Sequence, residues 1–268
     1  MNIIYIYNLI NFILDKEWSG NTFTPDQFND NIAFVNEEVF SEEFDRLTMI
    51  SIQAGELRSR ELISLIDDSL LSPFKKLYSS FGPGEISLPN DYKKKISAKL
   101  EYVTKPSAVR YIEWVSEMEM QRRAAFLSKK DPYQYPFGLI REPILTWIPK
   151  SPGATIDFIY LRQPLTPFAD WCVLNSTGNT ILLGEGWTLK NESGIINVYE
   201  NITTLKYSDV TYRTSIASGD TVISYSVDPE YDQMYYVRLV NRMLEKGGVR
   251  ISDDRVVQYS QMEQKKGE

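Results

Sequence analysis

The chain has 268 residues, 43% of them apolar, which is enough for one large domain or two packed ones without disulfides or structural metals. Its 29 Lys and Arg against 36 Asp and Glu give a formal charge of -7, which disfavours non-specific binding to DNA phosphates. It contains no His and a single Cys, Cys172, so imidazole catalysis, intrachain disulfides and thiolate metal clusters are excluded. The apolar neighbours of Cys172 indicate a buried thiol.

The first eighteen residues, MNIIYIYNLINFILDKEW, form an apolar run with a polar stripe. Asn8, Asn11 and Asp15 recur at helical spacing, and the run lacks the basic start and the small-residue cleavage site of a signal peptide. It is also too short to span a bilayer. We therefore expect a helix that packs into this fold or into a neighbouring subunit.

Two more helices are predicted in the first third of the chain. The segment Thr24-Pro25-Asp26-Gln27 has the residues of a capping box with proline at the first helical position, and this second helix reaches about Leu47. The third helix covers about residues 59–71. A short helical turn is expected to follow it through Tyr78.

Residues 106–149 mark the change from helix to sheet. Gly82-Pro83-Gly84 breaks the chain before them, and residues 98–102 alternate as a first strand. A charged helix is predicted from about Ser107 to Ser128. An aromatic strap follows, defined as residues 131–138 with the sequence DPYQYPFG, and its two prolines favour an extended backbone.

Most of the remaining chain has the pattern of antiparallel sheet, because short alternating runs are separated by turn residues. A last helix is expected after Asp228, which would cap it, and Gly247-Gly248 would end it. The tail contains a further short strand at Arg255 to Tyr259. The strands predicted before the last helix are 144–148, 155–161, 170–174, 180–183, 195–205 and 221–226.

These elements predict an α+β fold. An N-terminal helical bundle packs with a mostly antiparallel β-sheet part and a C-terminal helix. The expected division is a helical part, residues 1–82, and an α+β part, residues 83–268, compatible with one continuous domain.

The search for chemistry favours a protein without enzymatic activity. There is no glycine-rich phosphate loop, and Asp67-Asp68 is better explained by the polar side of a helix than by a paired-carboxylate site. Asp228, Glu230 and Asp232 lack the spacing of a calcium loop. We expect no catalytic residue, no cofactor and no metal site.

Five residues near the strap form the candidate interface. Arg122 and Arg123 belong either to a solvated helix face or to a contact with acidic residues of a neighbouring subunit. Tyr133, Tyr135 and Phe137 either pin a connecting segment on the core or form a contact surface for another protein chain.

A series of short motifs runs along most of the chain. They are Phe28-Asn29 and Asn36, Leu88-Pro89-Asn90-Asp91-Tyr92, Asp131-Pro132-Tyr133, Arg141-Glu142-Pro143-Ile144, Tyr160-Leu161-Arg162-Gln163-Pro164 and Tyr235-Tyr236-Val237-Arg238-Leu239. In this order they resemble the structural proteins of crAss-like phages, tailed bacteriophages that infect Bacteroidetes. The resemblance is to the ring proteins of their head-to-tail connector in particular.

The resemblance implies a virion structural protein of the phage neck, assembled in the host bacterial cytoplasm. It implies a homo-oligomeric, twelvefold ring beneath the portal protein, in contact with the portal and with further connector or tail proteins, and no membrane partner. DNA would pass through this net negative ring without specific binding. A closed ring requires contact between two different surfaces of the subunit. The N-terminal helix and the C-terminal tail are the first candidates for those surfaces.

A second hypothesis stays open. The chain would then be a soluble binding module with a β-sandwich-like part that takes carbohydrate on exposed aromatic side chains such as Trp187. A ring protein predicts ring-shaped oligomers, or assembly on a partner. A binding module predicts a stable monomer with saturable glycan binding.

Overall fold

The computed structural model describes residues 2–17, 22–53, 59–102, 109–125, 135–150, 153–201, 204–212, 216–232 and 236–248, together with Arg255, Val256 and Gln258. The fold is α+β, as predicted, with helices near both ends and mostly antiparallel sheets. The helices are α1 (Ile3–Glu17), α2 (Pro25–Gln53), α3 (Ser59–Asp67), α4 (Glu117–Ala125) and α5 (Tyr236–Lys246), with a 3₁₀ turn at Ser72–Phe74.

Three sheets contain the strands of the described residues. Sheet A has the order β1-β8-β3-β4, sheet B the order β2-β7-β6-β5, and sheet C the order β10-β9-β13-β12-β11-β14. The pair β5–β6 is parallel, and the other ladders described are antiparallel. The strands are β1 (Lys75–Gly82), β2 (Glu85–Ser87), β3 (Tyr92–Tyr102), β4 (Val109–Tyr111), β5 (Glu113–Trp114), β6 (Phe137–Arg141), β7 (Ile144–Ile148), β8 (Ala154–Arg162), β9 (Asp170–Leu174), β10 (Thr180–Leu183), β11 (Thr188–Glu192), β12 (Ile195–Asn201), β13 (Thr204–Tyr212) and β14 (Thr221–Ile223).

The chain divides into two compact units. Unit 1 contains residues 1–42 and 164–268, and unit 2 contains residues 43–163. The boundary expected after Gly82 lies inside unit 2, and residues 75–82 form β1 instead of the end of a helical part. Unit 1 is therefore built from both ends of the sequence.

In unit 1, helix α1 packs into its own fold. Ile6, Ile10 and Ile13 are buried, and the Tyr5 ring makes an edge contact with the ring of Tyr236 on α5. The predicted polar stripe has a structural use, because the Asn11 side chain donates to the Phe23 carbonyl and accepts from the Phe23 amide. The apolar face of α1 is thus used within the subunit.

Two predicted helix caps have different outcomes. The capping box at the start of α2 is confirmed: the Thr24 amide donates to Gln27 Oε1 at 3.1 Å, and the Gln27 amide donates to Thr24 Oγ1 at 3.3 Å. The cap predicted at Asp228 is wrong, since α5 begins only at Tyr236. The Asp228 carboxylate accepts from the Ile3 amide at 2.7 Å and so caps the start of α1.

In unit 2, sheets A and B contribute to one hydrophobic core. Leu100, Ile156 and Phe158 from sheet A lie in the same buried cluster as Leu145 and Trp147 from sheet B. The helical turn predicted through Tyr78 is wrong beyond the 3₁₀ turn. Strand β1 starts at Lys75 and pairs with β8 along its whole length. The backbone groups of this segment are therefore satisfied by hydrogen bonds to β8 instead of hydrogen bonds within a helix.

The charged helix predicted from Ser107 begins at Glu117 instead. Residues 109–111 pair with β3, and Glu113–Trp114 pairs with β6. The Ser116 hydroxyl accepts from the Glu119 amide at 3.3 Å, so Ser116 caps the helix at its observed start. Near the C-terminus, Arg255, Val256 and Gln258 have helical conformation, so the strand predicted over 255–259 is wrong for those residues.

Candidate interaction site

A groove in unit 2 combines lysines with aromatic rings and encloses about 510 Å³. We call it the lysine–aromatic groove. Helix α2 contributes Phe44 and its neighbours one turn further on, and β3 contributes three consecutive lysines. The lining residues are Phe44, Thr48, Ser51, Ile52, Leu62, Tyr92, Lys93, Lys94, Lys95, Ile96, Trp114 and Glu142.

The start of β3, which carries the three lysines, is irregular. The pairing of β3 with β8 shifts register between Tyr92 and Lys94 and again between Lys95 and Ser97. In a regular strand, consecutive side chains point to opposite faces. Here the two shifts lie on either side of Lys94 and Lys95, which pair with the consecutive residues Leu161 and Tyr160, and both lysines line the groove.

Each of these two lysines lies over an aromatic ring. The Lys94 ammonium is 5.5 Å from the centre of the Phe44 ring, and the Lys95 ammonium is 4.9 Å from the centre of the Trp114 ring. Neither ammonium has a carboxylate partner within the part of the chain that the structure describes. Desolvation in the groove lowers the pKa of Lys95. The ring contacts hold both cations in place without neutralising their charge.

The opposite charge in the groove comes from Glu142. Burial raises the pKa of Tyr92 to about 12, and the negative charge of Glu142 acts in the same direction. Among the described residues, the lining contains three lysines and this one carboxylate, so this part of the groove is net positive. Its chemistry suits an acidic ligand that brings carboxylates or another anion to the ammonium groups.

Two residues of the predicted interface, Arg123 and Phe137, serve the subunit itself. The Arg123 guanidinium donates to both oxygens of Glu113, at 2.6 and 2.9 Å, and to Glu119 Oε1 at 2.7 Å. It also lies 5.9 Å from the centre of the Phe137 ring, and Phe137 is only 3% exposed. For Phe137 the role of pinning a connecting segment on the core is the better interpretation, and Arg123 has ion-pair partners within its own subunit.

Two others remain available to a partner. The Arg122 side chain is 70% exposed and Tyr135 is 69% exposed. Tyr133 lies outside the described residues. Met118, which the sequence did not single out, is 81% exposed on α4, and no residue of that helix is buried.

Cys172 and Trp187, the side chains of unit 1 that were considered for chemistry or ligand binding, are packed within the unit. Cys172 is buried as predicted, and burial, reinforced by the Asp170 carboxylate, raises the pKa of its thiol to about 12. Asp170 accepts from the Tyr212 hydroxyl at 2.5 Å and from the Tyr225 amide at 3.1 Å. Trp187 is half-buried, packs on the core of sheet C and fills the space beside Gly184.

The described residues contain no cluster of three or more His, Cys, Asp or Glu side chains placed to hold a metal ion. None of their helices has both the length and the apolar character needed to cross a bilayer. Comparison of the chain with protein-family models and with curated proteins gives no match.

The charge of the chain is unevenly distributed between the units. The sequence of unit 1 contains 11 Lys and Arg against 21 Asp and Glu, a formal charge of -10. Unit 2 contains 18 against 15, a formal charge of +3. The net charge of -7 therefore combines an acidic unit with a basic one.

Proposed function

We propose that this chain is a non-enzymatic structural protein that assembles head to tail into a ring, in the neck of a tailed phage beneath the portal. The resemblance of its motifs to connector ring proteins suggests the location. The observation that supports head-to-tail assembly is the opposite formal charge of the two units, -10 and +3.

A ring closes through contacts between two different surfaces of the same subunit. Opposite charges on those surfaces attract the correct pair and repel the pairing of like surfaces. A subunit with one acidic and one basic unit has this property. If both units carried charge of the same sign, electrostatic repulsion between subunits would disfavour close packing of many copies.

The exposed side chains around α4 support a further protein contact. No residue of α4 is fully buried within the subunit, so packing against the hydrophobic core stabilises this helix little. Met118, Arg122 and Tyr135 offer the apolar, cationic and aromatic groups that are common at the centre of protein interfaces. We assign this surface to the portal or to the next ring of the connector.

The proposal is tested by mass and shape in solution. The purified protein is measured by mass photometry and negative-stain microscopy, alone and with the portal protein encoded by the same genome. We expect rings in at least one of the two samples. A protein that stays monomeric in both samples contradicts the proposal and favours the binding-module hypothesis, which a glycan-array measurement would then test.

A further inference from the structure

We infer that the lysine–aromatic groove receives acidic side chains from unit 1 of a second copy of this chain. The inference rests on the proposed head-to-tail assembly and names one of its two surfaces. It uses Lys94 and Lys95, which have no carboxylate partner among the described residues, the aromatic rings beneath them and the distribution of acidic residues over the chain.

The groove presents positive charge that is already oriented. Lys94 and Lys95 are held over Phe44 and Trp114, and neither has a carboxylate partner among the described residues. Each ammonium carries three N–H donors and no acceptor. Holding a flexible lysine before binding reduces the conformational entropy lost when a carboxylate arrives.

The occupied ring faces favour a peptide carboxylate over a nucleic acid. Single-stranded nucleic acid binds by stacking bases on exposed aromatic faces beside a basic track. Here ammonium groups lie over Phe44 and Trp114 at 5.5 and 4.9 Å from the ring centres.

The chain itself supplies the acidic surface. Unit 1 has a formal charge of -10, and several of its exposed carboxylates form no ion pair within the described residues. A volume of about 510 Å³ admits a few side chains, which matches a short acidic segment better than a folded domain. The exposed carboxylates without an ion pair are Asp15, Asp30, Glu185, Asp220 and Asp232.

The first test reverses the charge of the groove. The double variant Lys94→Glu with Lys95→Glu is compared with a matched control, Arg110→Glu with Lys150→Glu. The control makes the same change in net charge at two exposed residues of unit 2 that form no ion pair in the described structure. We expect the groove variant to lose at least about tenfold in self-association, while the control assembles like the wild type.

The outcomes separate the two proposals. If the wild type forms rings and the groove variant forms them equally well, the inference is wrong and the proposed function stands. If the wild type never self-associates, with or without the portal, both are wrong. If a DNA oligonucleotide binds the wild type but not the groove variant, the groove is a nucleic-acid site and the inference is wrong.

The second test does not depend on a variant that folds. Unlabelled and nitrogen-15-labelled wild-type protein are mixed, assembled and treated with a carbodiimide, which joins a lysine amine to a touching carboxylate. We expect mixed-label peptides that link Lys94 or Lys95 to an Asp or Glu of residues 1–42 or 164–268. Assembled rings in which these lysines give no such mixed-label link would overturn the inference.

Discussion

At the scale of single residues, a few buried or half-buried polar side chains hold the loops of unit 1. The Asn29 amide donates to the Ala169 carbonyl and accepts from the Ala169 amide, both at 2.8 Å. Asn36, only 2% exposed, donates to the Leu165 carbonyl. Both asparagines lie on α2 and bond to a loop more than a hundred residues away, a contact that the sequence alone does not reveal.

Tyr231 gives a prediction at this scale. Its hydroxyl donates to the Asn36 carbonyl at 2.9 Å, and burial, followed by the charges of Glu37 and Glu230, raises its pKa above the ordinary value of 10. The folded protein therefore keeps this proton when the unfolded chain loses it, and stability falls as pH rises above 10. We expect Tyr231→Phe to cost about 1 kcal/mol at pH 8 and to show a shallower loss of stability above pH 10.

Urea denaturation between pH 8 and pH 11 measures both quantities. Tyr225→Phe is the matched control, because the Tyr225 side chain is exposed and we expect it to change neither. Equal slopes above pH 10 for the wild type and Tyr231→Phe would contradict the assignment.

At the scale of elements, α4 is positioned by charge. None of its nine residues is fully buried, and ion pairs join the helix to β5 through Arg123 and Glu113 and to β6 through Arg141 and Glu117. Exposed ion pairs contribute little to global stability, typically under about 1 kcal/mol each. They can still decide where a small polar helix lies.

We therefore expect Arg123→Gln to leave the global unfolding free energy within about 1 kcal/mol of the wild type while loosening α4. Hydrogen exchange of the amides of residues 117–125 should accelerate several-fold in the variant. It should also accelerate for the wild type in 1 M salt, where the Debye screening length is about 3 Å. Arg122→Gln is the control, since Arg122 contacts only Glu119 among the carboxylates described for it. Unchanged exchange of α4 in Arg123→Gln would show that other contacts hold the helix.

The sequence predicted several strands of four or five residues better than it predicted strands of two or three. The strands at residues 144–148, 170–174 and 180–183 were predicted to the residue. Strands β4 and β5 were missed, since two or three residues carry no readable period and form a strand only through their partners in space. The motif Ser116-x-x-Glu119 was a readable signal for the start of α4 that the charge pattern of the segment concealed.

The groove could not be predicted for a related reason. Three consecutive lysines in a strand pattern indicate at least one solvated residue on each face of the sheet. The two register shifts of β3 against β8, one on either side of Lys94 and Lys95, cannot be read from that pattern. Those shifts depend on pairing between segments more than sixty residues apart in the chain.

At the scale of the whole molecule, the important property is how charge follows the two units. A net charge of -7 suggests an evenly acidic protein. The fold instead divides the residues into two units with formal charges of -10 and +3. A contiguous division near Gly82 does not reveal this separation, because unit 1 combines residues from both ends of the chain.

Self-association should therefore weaken with salt. Raising NaCl from about 50 mM to about 500 mM shortens the distance over which charges act from roughly 14 Å to roughly 4 Å. We expect the concentration needed for half-assembly to rise at least about tenfold over this range, measured by sedimentation velocity. Assembly that strengthens with salt would indicate an apolar contact and contradict the electrostatic one.

The single cysteine makes the opening of unit 1 measurable by a chemical reaction. Cys172 is fully buried and its thiol stays protonated at neutral pH, so a thiol reagent reacts with it only when the surrounding sheet opens. A neighbouring subunit that binds only folded unit 1 stabilises the folded form. It therefore lowers the population of the open form by a factor set by its concentration and its dissociation constant. The labelling rate of one sulfur atom, compared between free and assembled protein, would thus measure the strength of a subunit contact that the reagent never touches.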